Sequence, residues 1–396
     1  MKLATYRASG ATKIGAVDAA GARVFDLAAA SVRAVAATAS FASMLSLIDA
    51  DDAGLDIARK LLEKRGGEGD LWSPLAGVEL LAPLPEPRQM RDGMSFATHI
   101  RQSARGAAAV QAMKIGGEEA FKAAMAAPLG ELPAIYKQIP IYYITNRQTV
   151  VGPEVTVQWP RYSTVMDYEL EVAAITKRTR ANIPSSEGAE HIFGYTIFND
   201  FSARDRQSLE MQGRLGPAKG KSFDGSNAMR PWIVTADELG DPQTLKVEVR
   251  VNGETRSTGS TSGMLFSFAE LIADASQDET IQAGEVFGSG TVGNCCGLEI
   301  GRFLNGSDES SWSNGGKTTT ARPANEFALL PRGGHICCHA DRPRSRQGER
   351  HRTRTRFRVV LRCERGALSD DWGDARSYRS LLRCGWSTRL RMERST

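Results

Sequence analysis

Two acidic residues separated by one position mark residues 167–173 as a candidate site. Successive side chains of a β-strand point to opposite faces, so Glu169 and Glu171 would share one face while Leu170 and Val172 point into a core. Carboxylate oxygens are the ligands that Mg²⁺ and Ca²⁺ prefer. The pattern therefore predicts a site for a hard divalent cation, although a half-exposed strand with a solvated acidic face would give the same pattern.

A third carboxylate and a lysine follow along the chain. Asp200 comes directly after a β-type run at 194–198, so it would lie at a strand end, well placed to join the two glutamates. Asp200 or Ser202 could also cap a short helix. Lys221 lies in the segment 220–225, which lacks the spacing of a phosphate loop. It could neutralise a substrate oxyanion, or it could be an ordinary surface lysine.

A histidine and a further acid precede this cluster. If Asp92 and His99 lie on one helix, their spacing puts them on one face, two turns apart. His99 and His191 are the two histidines of the first 305 residues. His99 is the best candidate for a general base because imidazole titrates near neutral pH, although a structural histidine is the alternative. The glycine-rich turn at 288–294 would let backbone approach a ligand closely, or it is a plain loop.

Taken in order, these motifs resemble those of the fumarylacetoacetate hydrolase superfamily. The similarity lies in Asp-Tyr-Glu-Leu-Glu, Asn-Asp-Phe-Ser-Ala-Arg-Asp, Gly-Lys-Ser-Phe-Asp and Gly-Glu-Val-Phe-Gly-Ser-Gly-Thr-Val, and it spans residues 86–304. The resemblance implies an α+β, β-rich fold, with a mixed β-roll catalytic domain preceded by a small β-rich N-terminal domain. It also implies a homodimer, a small-molecule oxo-acid substrate and a Mg²⁺ cofactor, with Ca²⁺ or Mn²⁺ as alternatives.

The resemblance also assigns roles to individual residues. The metal ligands would be Glu169, Glu171, Asp200 and Asp92. The catalytic residues would be His99 as the water-activating base, Glu299 as the carboxylate that orients it, and Lys221. The substrate-side polar residues would be Arg204, Gln207 and Thr291. The sequence departs from the family at Met94 and Met211, where pocket tyrosines are expected, and at Gly225, where threonine is common.

The implied activity is hydrolysis of a carbon–carbon bond in a 1,3-dicarbonyl or acylpyruvate-type acid, by way of a Mg²⁺-bound enolate and a water activated by His99. The resemblance also implies a role in the catabolism of aromatic compounds. Hydratases, isomerases and decarboxylases of 2-oxo acids share the scaffold, so the fold does not choose among them. The pair Asp92 and His99 favours hydrolysis. The missing pocket tyrosines favour a smaller or more apolar acid.

The elements that must position these residues can be read from periodicity and turn signals. The pattern predicts a β-hairpin over residues 14–27 and helices over residues 40–65 and 106–126. Ser95 is a plausible N-cap for the helical stretch that follows it. Short β-type runs dominate from 139 to 300. Within this stretch Asn252-Gly253 indicates a hairpin, and a helix is expected over 264–275. Three prolines between 83 and 87 suggest a boundary, which gives domains at 1–85 and 86–305.

The basic charge of the chain belongs to its last ninety residues. The chain has 396 residues and a net charge of +4. Residues 306–396 contain 18 Arg and one Lys against ten Asp and Glu, so their net charge is +9. The net charge of residues 1–305 is therefore −5. The body therefore lacks the basic footprint of a nucleic-acid-binding protein. The tail is interpreted as a disordered extension or as a lost reading frame giving non-native sequence. Nucleic-acid binding through the tail and a zinc site at 335–339 are remoter alternatives.

Composition bounds the cellular setting. Hydrophobic residues make up 41% of the chain and charged residues 24%, which excludes a wholly disordered protein. No apolar run reaches the length of a membrane helix, and the first residues contain no long apolar segment typical of a secretory signal. Six cysteines are too few for a disulfide scaffold. We therefore expect a cytoplasmic enzyme with no membrane contact.

Overall fold

A computed structural model describes residues 1–35, 38–153, 155–251 and 254–304, and the backbone of two strands at 325–330 and 391–394. The helices are α1 (Leu27–Arg33), α2 (Met44–Asp49), α3 (Asp51–Arg65), α4 (Ala97–Met125), α5 (Arg204–Glu210), α6 (Ala236–Leu239), α7 (Phe268–Ala275) and α8 (Gly297–Ile300). The strands are β1 (Lys2–Ala8), β2 (Ala11–Val17), β3 (Arg23–Asp26), β4 (Trp72–Pro74), β5 (Glu79–Leu80), β6 (Met90–Gly93), β7 (Tyr142–Ile144), β8 (Val150–Val151), β9 (Thr156–Trp159), β10 (Met166–Asp167), β11 (Leu170–Thr176), β12 (Ile192–Asp200), β13 (Ser202–Ala203), β14 (Asn227–Met229), β15 (Trp232–Thr235), β16 (Lys246–Val251), β17 (Glu254–Ser260), β18 (Val286–Gly288), β19 (Asn325–Leu330) and β20 (Arg391–Arg394).

A large mixed sheet is the centre of the fold. Its strand order is β4-β3-β2-β1-β15-β12-β11-β18-β6-β7, and β5, β8 and β14 pair at its sides. Strand β11 is buried along its whole length because both of its faces are covered. Leu170 and Val172 enter one hydrophobic core, whereas Ala173 and Ile175 enter a second core. This alternation confirms the predicted strand and puts Glu171 on the face opposite Leu170 and Val172.

The N-terminal strands extend the same sheet. The predicted hairpin is confirmed as the antiparallel pair β2–β3. The helical stretch predicted at 40–65 consists of two helices, α2 and α3, and the chain changes direction between them at Asp51, which has a φ of 53°. Strand β1 pairs with β15 through Lys2 and Val234, and the second core contains side chains from both halves of the chain. A domain boundary near residue 85 stays a prediction.

The predicted α+β, β-rich class is confirmed in the second half of the chain. Strands β7, β8, β9, β11, β12, β15 and β16 fall in the predicted β-type runs. Strands β16 and β17 form the expected hairpin, with Val251 opposite Glu254, and the two turn residues between them lie outside the described residues. Helix α7 begins at Phe268 because Ser267 and Glu270 form a capping box there.

Three local predictions are wrong. Helix α4 has Phe96 at its N-cap, and the backbone of Ser95 is instead hydrogen-bonded to Ser289 and Leu265. Asp92 lies on strand β6 and not on a helix with His99. Helix α5 begins at Arg204 and has Ala203 at its N-cap, so Asp200 and Ser202 lie too early in the chain to cap it and this alternative fails.

The predictions for the Arg-rich tail lie almost wholly outside the described residues. These are the disordered extension, the lost reading frame, nucleic-acid binding and the zinc site at 335–339. In this tail the described backbone is that of β19, which pairs with β16, and β20, which pairs with β9. Among the described helices, none is both long enough and apolar enough to cross a membrane.

Candidate active site

Three buried carboxylates meet where four neighbouring strands lie side by side. Asp92 lies on β6, Glu171 on β11 and Asp200 at the last residue of β12, and the sheet order β12-β11-β18-β6 brings them together. One carboxylate oxygen of each residue lies within 4.8 Å of the others. Gly288 of β18 lies between them, because a Cβ atom at this position would be 2.5 Å from Asp92 Oδ1 and 2.8 Å from Glu171 Oε2. The cluster therefore requires glycine there.

The negative charge of the three carboxylates is only partly balanced by a cation. Burial, reinforced by repulsion from Asp92 and the other acids nearby, raises the pKa of Glu171 well above its usual value. Burial also raises the pKa of Asp200, and the attraction of Lys221 only partly offsets it. Within the described part of the chain, Asp92 Oδ1 and Asp200 Oδ1 are buried without a hydrogen-bond partner. An all-oxygen donor set with orphaned oxygens fits a hard divalent cation.

Glu169 lies beside this cluster but is already paired with two cations. Its carboxylate contacts Lys221 Nζ on one side and Arg204 Nη2, at 2.7 Å, on the other. Burial opposes ionisation of Glu169, but Arg204 and Lys221 outweigh it and lower its pKa. Lys221 Nζ also contacts Asp200, and although burial disfavours its charge, Asp200 and Glu169 raise its pKa. Lys221 is thus a buried cation between carboxylates, and the alternative of a surface lysine is wrong.

Arg204 is held by three partners in the first turn of α5. Its Nε donates to Asp167 Oδ2 at 2.8 Å, and its Nη1 donates to Gln207 Oε1 at 2.9 Å. Gln207 follows one turn later on the same helix face. Thr291 lies in the glycine-rich turn, and among the described residues its buried hydroxyl has no hydrogen-bond partner. The geometry is compatible with the substrate-side roles predicted for these residues, which stay predictions.

His99 lies in the first turn of α4, between the carboxylates and α8. Its Nδ1 is 3.3 Å from Glu299 Oε1, and its Nε2 is 4.0 Å from Glu169 Oε1. Glu299 accepts hydrogen bonds from the backbone N–H groups of Asn294 and Cys296, both at 3.0 Å, which fixes its carboxylate. The carboxylate of Glu299 favours the histidine tautomer that carries its proton on Nδ1. In that tautomer Nε2 is unprotonated and can accept a proton.

A cavity of about 770 Å³ opens over these groups. The predicted residues that line it are Asp92, His99, Glu169, Glu171, Arg204, Gln207, Lys221 and Thr291. Asp200 and Glu299 lie behind the lining, in contact with Lys221 and His99 respectively. The structure thus brings all ten predicted site residues together around one cavity.

Sequence reasoning missed Tyr143 and Asp167. Tyr143 lies opposite Asp92 in the β6–β7 pair and donates a hydrogen bond from its hydroxyl to Asp200 Oδ2 at 2.8 Å. Asp167 Oδ1 and Oδ2 accept from the N–H groups of Gly297 and Leu298, at 2.7 and 2.8 Å, so it holds the start of α8. Asp167 begins the acidic motif and could have been found there, whereas Tyr143 gave no signal beyond a β-type run.

Comparison with known proteins places this arrangement in a family. Residues 98–324 match the family model described as "Fumarylacetoacetate (FAA) hydrolase C-terminal". The chain belongs to the fumarylacetoacetate hydrolase superfamily. The oxaloacetate tautomerase YisK of Bacillus subtilis is 32% identical over 278 residues, covering 67% of this chain and 81% of the relative. The mitochondrial oxaloacetate tautomerase FAHD2A of Homo sapiens is 28% identical over 250 residues, covering 63% of this chain and 68% of the relative.

Solved structures of the superfamily share the fold. The fumarylacetoacetate hydrolase of Exiguobacterium antarcticum has 28% identity and a TM-score of 0.51, covering 74% of this chain and 86% of its own. The maleylpyruvate hydrolase of Sphingobium sp. SYK-6, solved with manganese(II) and pyruvate, has a TM-score of 0.54 over 83% of this chain and 95% of its own, at 20% identity. The superfamily contains hydrolases, isomerases and tautomerases, so membership shows an enzyme but not its reaction.

Proposed function

We propose that this enzyme is a divalent-metal-dependent hydrolase that cleaves a carbon–carbon bond in an acylpyruvate or a related 1,3-dicarbonyl acid. The observation that carries the proposal is the position of His99, which lines the cavity beside the carboxylate cluster and has Glu299 3.3 Å from its Nδ1. A histidine oriented in this way can take a proton from a water molecule next to a bound substrate.

The metal would be held by Asp92, Glu171 and Asp200, with Glu169 as a fourth candidate ligand. We propose Mg²⁺, with Mn²⁺ and Ca²⁺ as alternatives, because the donors are carboxylates and two buried carboxylate oxygens have no partner among the described residues. When bound, such an ion supplies Lewis acidity that stabilises negative charge on the oxygens of a 2-oxo acid.

The protein's own residues account for the proton movements. His99 Nε2 would accept a proton from water as the water oxygen bonds to the acyl carbonyl carbon. The carbon–carbon bond then breaks, its electron pair stays with the pyruvate fragment, and His99 returns the proton to that carbon. The products are a carboxylic acid, which ionises to solvent, and pyruvate. Lys221 is placed to offset negative charge on oxygen. Thr291 and Gln207 would bind polar groups of the substrate.

The rest of the cavity lining favours an apolar acyl group. Besides the predicted site residues, the lining includes the side chains of Met94, Ile100, Val110, Met211 and Leu298. The charged side chains in this remainder of the lining are Arg101 and Glu131, one of each sign. A substrate tail bound there would gain hydrophobic burial more readily than a carboxylate tail would gain ion pairing. We therefore propose acylpyruvates with an aliphatic or aryl acyl group.

A second candidate is keto–enol tautomerisation of oxaloacetate. It is favoured by the names of two relatives, YisK and FAHD2A. The same His99 could move a proton between carbon and oxygen without activating water. In that reaction no carbon–carbon bond breaks and pyruvate is not formed.

A substrate panel separates the two candidates. Purified enzyme is incubated with acetylpyruvate, a longer aliphatic acylpyruvate, a benzoylpyruvate and enol-oxaloacetate, each with Mg²⁺, with Mn²⁺ and with a chelator. The proposal predicts metal-dependent release of pyruvate and a carboxylic acid from the acylpyruvates, fastest with the longer or aryl group. Metal-dependent conversion of enol-oxaloacetate with intact acylpyruvates would overturn it in favour of the tautomerase.

A further inference from the structure

A second cluster of potential metal ligands lies on the far side of His99 from the three carboxylates. Its members are His99 Nδ1, Cys296 Sγ and a carboxylate oxygen of Glu299, all within 4.8 Å of one another. The Nδ1–Oε1 distance is 3.3 Å and the Nδ1–Sγ distance is 4.0 Å. All three side chains are buried.

These distances are close to those of a tetrahedral zinc site. Ligand bonds of about 2.0–2.3 Å separate the ligand atoms by roughly 3.3–3.7 Å. The His99–Glu299 pair already has this separation, and Cys296 Sγ would have to approach Nδ1 by only a few tenths of an ångström. A set of one nitrogen, one sulfur and one oxygen suits Zn²⁺ and not Mg²⁺, whereas the all-oxygen set of Asp92, Glu171 and Asp200 has the opposite preference.

We propose that His99, Cys296 and Glu299 form an inhibitory site for Zn²⁺, distinct from the carboxylate site for the catalytic cation. An ion bound there would replace the contact between Glu299 and His99 Nδ1. Ligation needs an unprotonated Nδ1, so the proton of the neutral imidazole moves from Nδ1 to Nε2. An imidazole that is fixed to the ion and protonated at Nε2 cannot accept a proton from water. The thiol proton of Cys296 leaves to solvent when the zinc–sulfur bond forms.

The position of the cluster predicts slow inhibition. His99 lines the cavity, whereas Cys296 and Glu299 lie behind it, so an ion has to pass the imidazole to reach them. Inhibition by Zn²⁺ should therefore develop over time and should persist at saturating Mg²⁺, because Mg²⁺ does not compete for a thiolate ligand.

The adjacent cysteine gives a matched control. Cys295 is as buried as Cys296, but its thiol packs against Gly259 and is not a member of the cluster. In Cys296→Ser a hydroxyl can still cap α8, because serine is a preferred N-cap residue, so this variant should fold. Cys295→Ser removes a thiol of equal burial and leaves the cluster intact.

The test uses the Mg²⁺-loaded enzyme and both variants. Activity is followed during preincubation with Zn²⁺, and Co²⁺ binding is followed by the near-ultraviolet thiolate-to-cobalt band, which does not depend on turnover. The wild type and Cys295→Ser should show slow inhibition and the band. Cys296→Ser should lose the band and bind Zn²⁺ about a hundredfold more weakly, since changes outside the ligand shell already cost about 10–100-fold.

Two results would overturn the proposal. One is equal Zn²⁺ inhibition of Cys296→Ser and the wild type, and the other is the absence of a thiolate band in the wild type. Glu171→Gln, which impairs the carboxylate site, should retain the band. If the substrate is not turned over at all, the cobalt band still decides whether the cluster binds metal, so failure of the proposed function is distinguishable.

Discussion

Gly288→Ala is expected to damage the carboxylate site with little change to the rest of the fold. An added Cβ would lie 2.5 Å from Asp92 Oδ1 and 2.8 Å from Glu171 Oε2, whereas ordinary contacts are 3.4 Å or longer. The two oxygens must therefore move by about 0.9 and 0.6 Å, which exceeds the tolerance of about 0.2 Å for ligand distances in a metal site. The backbone of Gly288 has no positive φ, so alanine adds no backbone strain.

The expected magnitude is a loss of about 10–100-fold in affinity for Mg²⁺ or Mn²⁺ and a fall in the free energy of unfolding of about 1–3 kcal/mol. Isothermal titration calorimetry measures the affinity, and urea unfolding of the metal-free protein measures the stability. Gly77→Ala is the matched control, because a Cβ atom at Gly77 would meet no atom within 4 Å. An unchanged metal affinity in folded Gly288→Ala would refute the argument that the glycine makes room for the cluster.

Replacing His99 by glutamine should lower kcat by a factor of about 10²–10⁴, whereas the metal affinity measured by calorimetry should stay constant. The control is His191→Gln, which changes a buried histidine outside the cavity lining and should retain kcat. Mg²⁺ or Mn²⁺ should raise the Tm of the wild type, because the ion binds the native state. This rise should be lost in Glu171→Gln. An equal rise in the wild type and the variant would contradict the assigned ligand set. Burial and the charges of Arg180 and Arg178 lower the pKa of His191 below its ordinary 6.5. The unfolded chain therefore binds more protons below that pH, so unfolding free energy should fall as pH drops below about 6.5, and His191→Gln should flatten this slope.

Local patterns predicted much of the fold because the strands of the central sheet are short apolar runs with clear turn signals. They also predicted that Glu171 faces away from Leu170 and Val172, since strand periodicity fixes which side chains share a face. The position of Asp200 at a strand end followed from the apolar run before it.

Long-range pairing explains what the sequence concealed. Asp92 reaches the cluster because β6 pairs with β18 in parallel, and this pairing brings together residues almost two hundred positions apart in sequence. No local spacing encodes such a contact, and the helical spacing used for Asp92 and His99 was therefore the wrong geometry. Tyr143 was missed for the same reason, because its contact with Asp200 depends on the β6–β7 pair.

The fate of solvent oxygen tests the proposed hydrolysis most directly. The metal-loaded enzyme is given an acylpyruvate in deuterium oxide enriched in oxygen-18, and the recovered substrate and both products are analysed by mass spectrometry. If His99 activates water for attack on the acyl carbon, the released carboxylic acid gains one solvent oxygen and pyruvate appears in equal amount. Recovery of intact acylpyruvate that has exchanged only its carbon-bound hydrogens would contradict the account, because it would show a base that moves protons without cleaving the bond.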